Sequence, residues 1–262
     1  MNPEEKSGEW VRYTHREFGS DWCSLDVPSG KQEFLANVEE MVDFLMKLFG
    51  RTELYTLEFK PSKTSRKLVR RVVKKYWKTT EYLAVEDFED SEDSERTLTD
   101  KEVKWALKAL SVTKNIYFTS RVLPGVQYTK GFSSKVVTVE NPSWIHVDSI
   151  INSTTERFNF TGANPSNSVL NTILKAWISG GKLLNLKLLS WESDWVKGGF
   201  YPKDFEDEVM EEIEEATLTS EEKIRNPFED EEEEEDGRYV RRCDGKLAVV
   251  MMNSTIFQIR VC

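Results

Sequence analysis

Two histidines, His15 and His146, and three cysteines, Cys23, Cys243 and Cys262, are the whole imidazole and thiol supply of this 262-residue chain. Metal sites and nucleophilic triads need such groups to converge, and these are scattered singly with no CxxC pair. His15 lies in a polar N-terminal stretch, and His146 opens a helical pattern after Trp144. The run Gly180-Gly181-Lys182 lacks the earlier glycine of a phosphate loop and reads as a helix stop. No GxSxG elbow or GxGxxG turn is present. Without converging groups the chain reads as non-enzymatic, with no cofactor and no bound metal expected.

The charged residues could do binding chemistry instead. Lys67, Arg70, Arg71, Lys74, Lys75 and Lys78 load one helical segment with positive charge, which suits a polyanion or equally a plain solvated helix face. The net charge of −10 hides a division. Between Glu206 and Asp236 stand 17 acidic residues against Lys223 and Arg225, a local balance of −15, so the remainder carries about +5. Eight consecutive acidic residues, Glu229 to Asp236, repel one another and have nothing apolar to bury. An acidic insertion at about 214–237 is therefore expected to be disordered.

Ordered elements must position whatever binds. Hydrophobic residues make up 39 % of the chain, with eight Trp and fourteen Phe, enough to build a substantial core. Residues 34–49 carry a helical stripe that includes Phe34, Val38, Val42 and Leu45. Tyr55, Leu57 and Phe59 alternate against Thr56 and Glu58, which predicts a strand over 54–59. Lys67 to Lys78 is a second helix with Leu68, Val72 and Tyr76 inward, and Tyr82 to Phe88 a second strand. Thr99 and Glu102 have capping-box spacing ahead of a third helix. Strands are expected at 115–118, 135–139 and 157–160, with a short helix at 146–151.

The clearest helix starts at Asn164-Pro165-Ser166, buries Leu170, Ile173, Leu174, Trp177 and Ile178, and stops at Gly180-Gly181. Leu183 to Leu189 then alternates with Asn185 and Lys187. Asp244-Gly245 is the turn of a hairpin joining 238–243 to 246–252, and a last strand covers 255–261. Strands recurring every roughly 20 to 35 residues between helices fall in the range of repeat architectures. The expected fold is α/β, with irregular helix–strand repeats in an open, curved, leucine-rich-repeat-like array closed by a C-terminal β-hairpin. An ordinary compact α/β domain is the alternative. On the array's concave side, alternation nominates Thr56, Glu58, Asn159, Asn185 and Lys187 as partner-binding residues. An exposed sheet surface without function is the competing reading of those five.

Leu170-Asn171-x-x-Leu174-Lys175-x-Trp177-Ile178-x-Gly180 with Leu184-x-Leu186-x-Leu188 resembles the central signature of the nematode type-2 F-box-associated domain. Ser143-Trp144-Ile145 resembles that family's upstream element. The ending Arg242-x-Asp244-Gly245-x-x-Ala248-x-Val250, then Phe257-x-Ile259-x-Val261, is similar too. The likeness spans residues 33–262, with 1–32 a polar segment lacking the family's Leu-Pro-led F-box. Cys262 stands where the family ends in Trp, and the acidic insertion precedes the Arg-x-Asp-Gly turn. The resemblance implies an unknown protein substrate recognised for a cullin ubiquitin ligase, through a Skp-type adaptor where an F-box is supplied. The alternatives are a freestanding interaction module and nucleic-acid binding through helix 67–78.

No stretch approaches the roughly 18 apolar residues of a membrane span. The polar, charged N-terminus and the sparse cysteines point to an intracellular, reducing setting, cytoplasmic or nuclear.

Overall fold

The computed structural model describes residues 10–16, 22–28, 40, 42–44, 47, 54–59, 67, 69–85, 97–108, 110–192, 205–219, 237–253 and 255–262. Of residues 10–16, 22–28, 70 and 72 it describes the backbone alone. The chain divides into two units, Met1–Val126 and Gln127–Cys262. Each unit is an open, mixed α/β sheet. Among the described residues no helix is long and apolar enough to cross a membrane.

In the first unit the strand order is β2 (Trp22–Pro28), β1 (Trp10–Arg16), β3 (Leu54–Phe59), β4 (Thr79–Val85), β5 (Ser111–Phe118). β1 runs antiparallel to both its neighbours, and β3, β4 and β5 are parallel. The polar N-terminal segment of the sequence thus holds two strands, which its charged composition conceals. Parallel neighbours need a crossover. Between β3 and β4 it includes a π-helical turn (Val69–Val73) running into α1 (Lys74–Tyr76), and between β4 and β5 it includes α2 (Asp100–Ala106). The expected capping box forms as read: Thr99 Oγ1 accepts from the Glu102 N–H at 3.4 Å, and the Thr99 N–H donates to Glu102 Oε2 at 3.0 Å.

Of the inward residues expected in the second helix, Leu68 and the Val72 side chain lie outside the described residues and Tyr76 is half-buried, while Val69 and Val73 of the π turn are fully buried. One expectation changes here. In β3 the buried residues are Leu54, Leu57 and Phe59, so Tyr55 falls out of phase. Register irregularities between Thr14 and His15 and between Thr80 and Tyr82 bracket this position on both flanking strands. Thr80 Oγ1 lies 3.0 Å from the carbonyl oxygens of both Tyr55 and Tyr82, giving the irregular backbone a partner. Beyond this point alternation resumes, with Leu57, Leu83 and Ile116 aligned and Phe59, Val85 and Phe118 aligned one step on. Trp105 of α2 meets Phe59 edge-on at 5.2 Å.

In the second unit the order is β6 (Val136–Glu140), β7 (Arg157–Thr161), β8 (Leu188–Glu192), β11 (Ile256–Val261), β10 (Leu247–Met252), β9 (Arg238–Arg241). β6, β7 and β8 are parallel and the last three strands antiparallel. The crossovers carry α3 (Val147–Ile151) and α4 (Asn167–Ile178). Phe132, Phe158, Phe160 and Trp191 form a chain of ring contacts at 6.2, 5.5 and 4.7 Å through the apolar side. Leu170, Ile173, Leu174 and Trp177 of α4 are fully buried, as their spacing demands, while Ile178, expected with them, is half-buried at the helix end. The helix begins at Asn167, after Ser166, so Pro165 lies outside it rather than at its first turn.

The strand expected at 183–189 is displaced. β8 starts at Leu188, and Leu183 adopts φ 53°, which an extended strand cannot accommodate. Leu183, Leu186 and Leu189 are buried while Leu184 is 55 % exposed, a spacing of three set by the turn rather than the period of two in the sequence.

Of the acidic block, 205–219 is placed. It contains α5 (Phe205–Val209), with Phe205 and Val209 buried, and a bridge from Glu215 to Val240 on β9. Residues 220–236, and with them Glu229 to Asp236, lie outside the described residues, as do Glu89 to Glu95, Trp195 and most of the 34–49 stripe.

Candidate recognition face

β6, β7 and the first part of β11 bury every other side chain, β8 buries Leu189, Ser190 and Trp191 in succession, and the intervening side chains line up in rows across the sheet. One row runs Thr138, Asn159, Ser190, Gln258 along β6, β7, β8 and β11. Asn159 Nδ2 donates to Thr138 Oγ1 at 3.4 Å, and Gln258 Nε2 donates to Ser190 Oγ at 3.3 Å. Arg260 Nε donates to Gln258 Oε1 at 2.5 Å, tying this row to the next. That next row runs Val136, Arg157, Leu188, Arg260. On the other side stand Glu140, Thr161 and Glu192. Packed β-strands hold these groups with little freedom, which favours a fixed hydrogen-bonding surface.

Charge gathers where the parallel strands begin. Lys187 Nζ pairs with Glu156 Oε2 at 2.8 Å. That hydrogen bond holds the Glu156 carboxyl below its usual range, and the fields of Lys187, Lys135 and Arg157 add to it. The Val261 N–H donates to the Lys187 carbonyl at 3.0 Å, and Arg260 is the register partner of Leu188. Lys135, Arg157 and Lys187 thus surround Glu156, and Arg260, across Leu188 from Arg157, extends this cationic rim.

Of the five nominated residues, Asn159 stands in the polar row. Asn185 and Lys187 belong to the turn before β8, where Asn185 Nδ2 donates to the Thr154 carbonyl at 3.2 Å. Thr56 and Glu58 lie half-buried on β3 of the first unit, in register with Tyr82 and Ala84. Beside them Tyr55 and Tyr82 pack at 4.8 Å, and Lys114 lies 5.9 Å from each ring while pairing with Glu81 at 2.7 Å. Hydrogen bonding to Tyr82 is the main cause holding the Tyr55 phenol above its usual range, and the Glu81 bond does the same for the Lys114 ammonium. Sequence reasoning missed Thr138, Gln258 and Arg260, although the alternation that found Asn159 applies equally to 136–140 and 256–261. Ser190 lies beyond the strand expected at 183–189, and the structure buries it within the row.

The Trp-Ile-x-Gly and Arg-x-Asp-Gly elements meet at a different place, and they make a clasp. Arg242 lies 5.5 Å over the Trp177 ring and forks onto Asp244 at 2.8 and 2.6 Å. This pairing draws the Asp244 carboxyl down to about 2. The Cys243 N–H and thiol donate to the Ile178 and Ser179 carbonyls at 2.9 and 3.1 Å, satisfying the end of α4. Gly180 closes that end at φ 73°.

In the basic helix Lys75 pairs with Asp43 at 2.9 Å. His146 caps α3, its Nδ1 accepting the Asp148 N–H at 3.2 Å. Among the described residues no three His, Cys, Asp or Glu side chains gather to hold a metal.

Compared with family models, curated proteins and solved structures, the chain finds no match.

Proposed function

We propose that this chain is a non-enzymatic, intracellular protein-binding domain that takes its partner on the open sheet face of the second unit. The observation that carries the reading is the row of half-buried Thr138, Asn159 and Gln258, in register through buried Ser190 and with Arg260 joined to it: polar groups ordered across four adjacent strands. A surface held by backbone pairing loses little conformational freedom on binding, so its hydrogen bonds count toward affinity. Within each unit, helices between parallel strands support reading the chain as irregular, leucine-rich-repeat-like repeats whose open faces recognise protein.

The likeness to F-box-associated domains extends the proposal to substrate recognition for a cullin ubiquitin ligase. Its motifs do not supply the binding surface in this reading; the clasp they form keeps the sheet and α4 in place. A freestanding interaction module remains the second form of the same proposal.

The test places a photo-crosslinking amino acid at Asn159 or, as control, at exposed Ser179 beside the clasp, in tagged full-length chain expressed in cells. Crosslinking of a protein from Asn159 and not from Ser179 is expected. Equal yields from both positions refute the face. Co-purification of Skp and cullin subunits separates the ligase form from the freestanding one.

A further inference from the structure

We infer that the segment received by this face is acidic, its Asp and Glu side chains meeting the rim of Lys135, Arg157, Lys187 and Arg260. This inference rests on the recognition reading and names the chemistry of the partner. The rim gathers cations where four strands begin or end, and Glu156 among them is paired with Lys187. Arg157 and Lys135 are exposed, and Leu188 lies between Arg157 and Arg260 in the same row. A guanidinium on either side of an apolar residue suits a peptide that alternates carboxylate and apolar side chains, since Arg takes a carboxylate in a two-pronged hydrogen bond.

One step further along each strand lie the amides Asn159 and Gln258, which can bond the backbone or side chains of an extended segment. At the far side Glu140 and Glu192 are exposed. A polyphosphate crossing the face would meet those carboxylates, whereas a peptide carries its negative charge only where its sequence puts it. Charge complementarity therefore favours an acidic protein segment over RNA or DNA.

The experiment uses full-length chain and a fluorescein-labelled peptide of alternating Glu and Leu, its Gln-for-Glu counterpart, and a single-stranded oligonucleotide of equal charge. Binding of the Glu peptide is expected at about 50 mM salt, weakening several-fold at about 300 mM as the charges are screened. The Gln peptide should bind at least tenfold more weakly. Lys135→Glu with Arg157→Glu should cost at least tenfold for the Glu peptide, while thermal melting confirms that the variant is folded. Should the pair destabilise the fold, Arg157→Gln alone gives a smaller loss of the same sign.

Equal binding of the Glu and Gln peptides, or tighter binding of the oligonucleotide, overturns the inference. Failure of the Glu peptide while Asn159 still crosslinks a protein refutes the acidic partner and leaves the face. Failure of both removes the face as well.

Discussion

At Trp177 a fully buried indole supports a guanidinium that is itself nearly buried. Among the described residues Trp177 Nε1 and Arg242 Nη1 find no hydrogen-bond acceptor, so ring contact and the Asp244 fork carry the clasp. Trp177→Ala removes the largest fully buried side chain of α4 and leaves the charge without its support. A loss of about 3–5 kcal/mol in chemical denaturation is expected, and a loss under about 1 kcal/mol would show that the helix repacks. Asp244 makes the clasp acid-sensitive. Its folded pKa lies below its ordinary value, so its contribution is complete above about pH 4 and fades as pH falls toward 2. Asp244→Asn should lower the melting temperature at pH 7, and the gap to the parent should close between pH 4 and 2. A gap that stays constant over that range would mean the ion pair is not the cause.

Elements here are set by their ends as much as by their faces. α2 depends on a capping box, so Thr99→Ala should cost about 1 kcal/mol by denaturant titration, and an unchanged midpoint would show that tertiary packing alone holds the helix. The end of α4 is more tightly specified. A Cβ on Gly180 would lie 2.3 Å from Cys243 Sγ, at a backbone φ of 73° that side chains disfavour. The thiol can move only by giving up its bond to the Ser179 carbonyl. Gly180→Ala should therefore cost roughly 1–2 kcal/mol from backbone conformation plus the displaced thiol. Adding Cys243→Ala should restore only the second part. Strict additivity of the two changes would show that the residues do not press on each other.

The whole molecule carries opposite charges in separate places. The rim of the second unit is cationic, while the net charge is −10 and the sequence isoelectric point about 5.0. Removing Glu229 to Asp236 deletes eight carboxylates and leaves a net charge of −2. Such a variant should focus at a higher pH and precipitate at lower polyethylene glycol concentration than the parent near pH 7, because like-charge repulsion between molecules falls. Unchanged precipitation would show that the block does not govern solubility.

What the residues determined unaided was local. The capping box at Thr99, the helix through Trp177, the Asp244-Gly245 hairpin and the α/β alternation each rest on signals spanning a few positions, within reach of a single element. The acidic block was legible from composition, but its first part packs through Phe205 and Val209, two apolar residues outweighed by the carboxylates around them. Tertiary structure decided the rest. The Leu183 turn and the phase slip at Tyr55 arise where neighbouring elements over-rule a local period. Asn159 could be placed on an open face by alternation, but not beside Thr138, because strand register joins residues far apart in the chain. The clasp joins groups 64 residues apart, as Cys243 and Ser179 are. The cationic rim likewise exists only once four strands lie side by side, since no two of its members are neighbours in sequence.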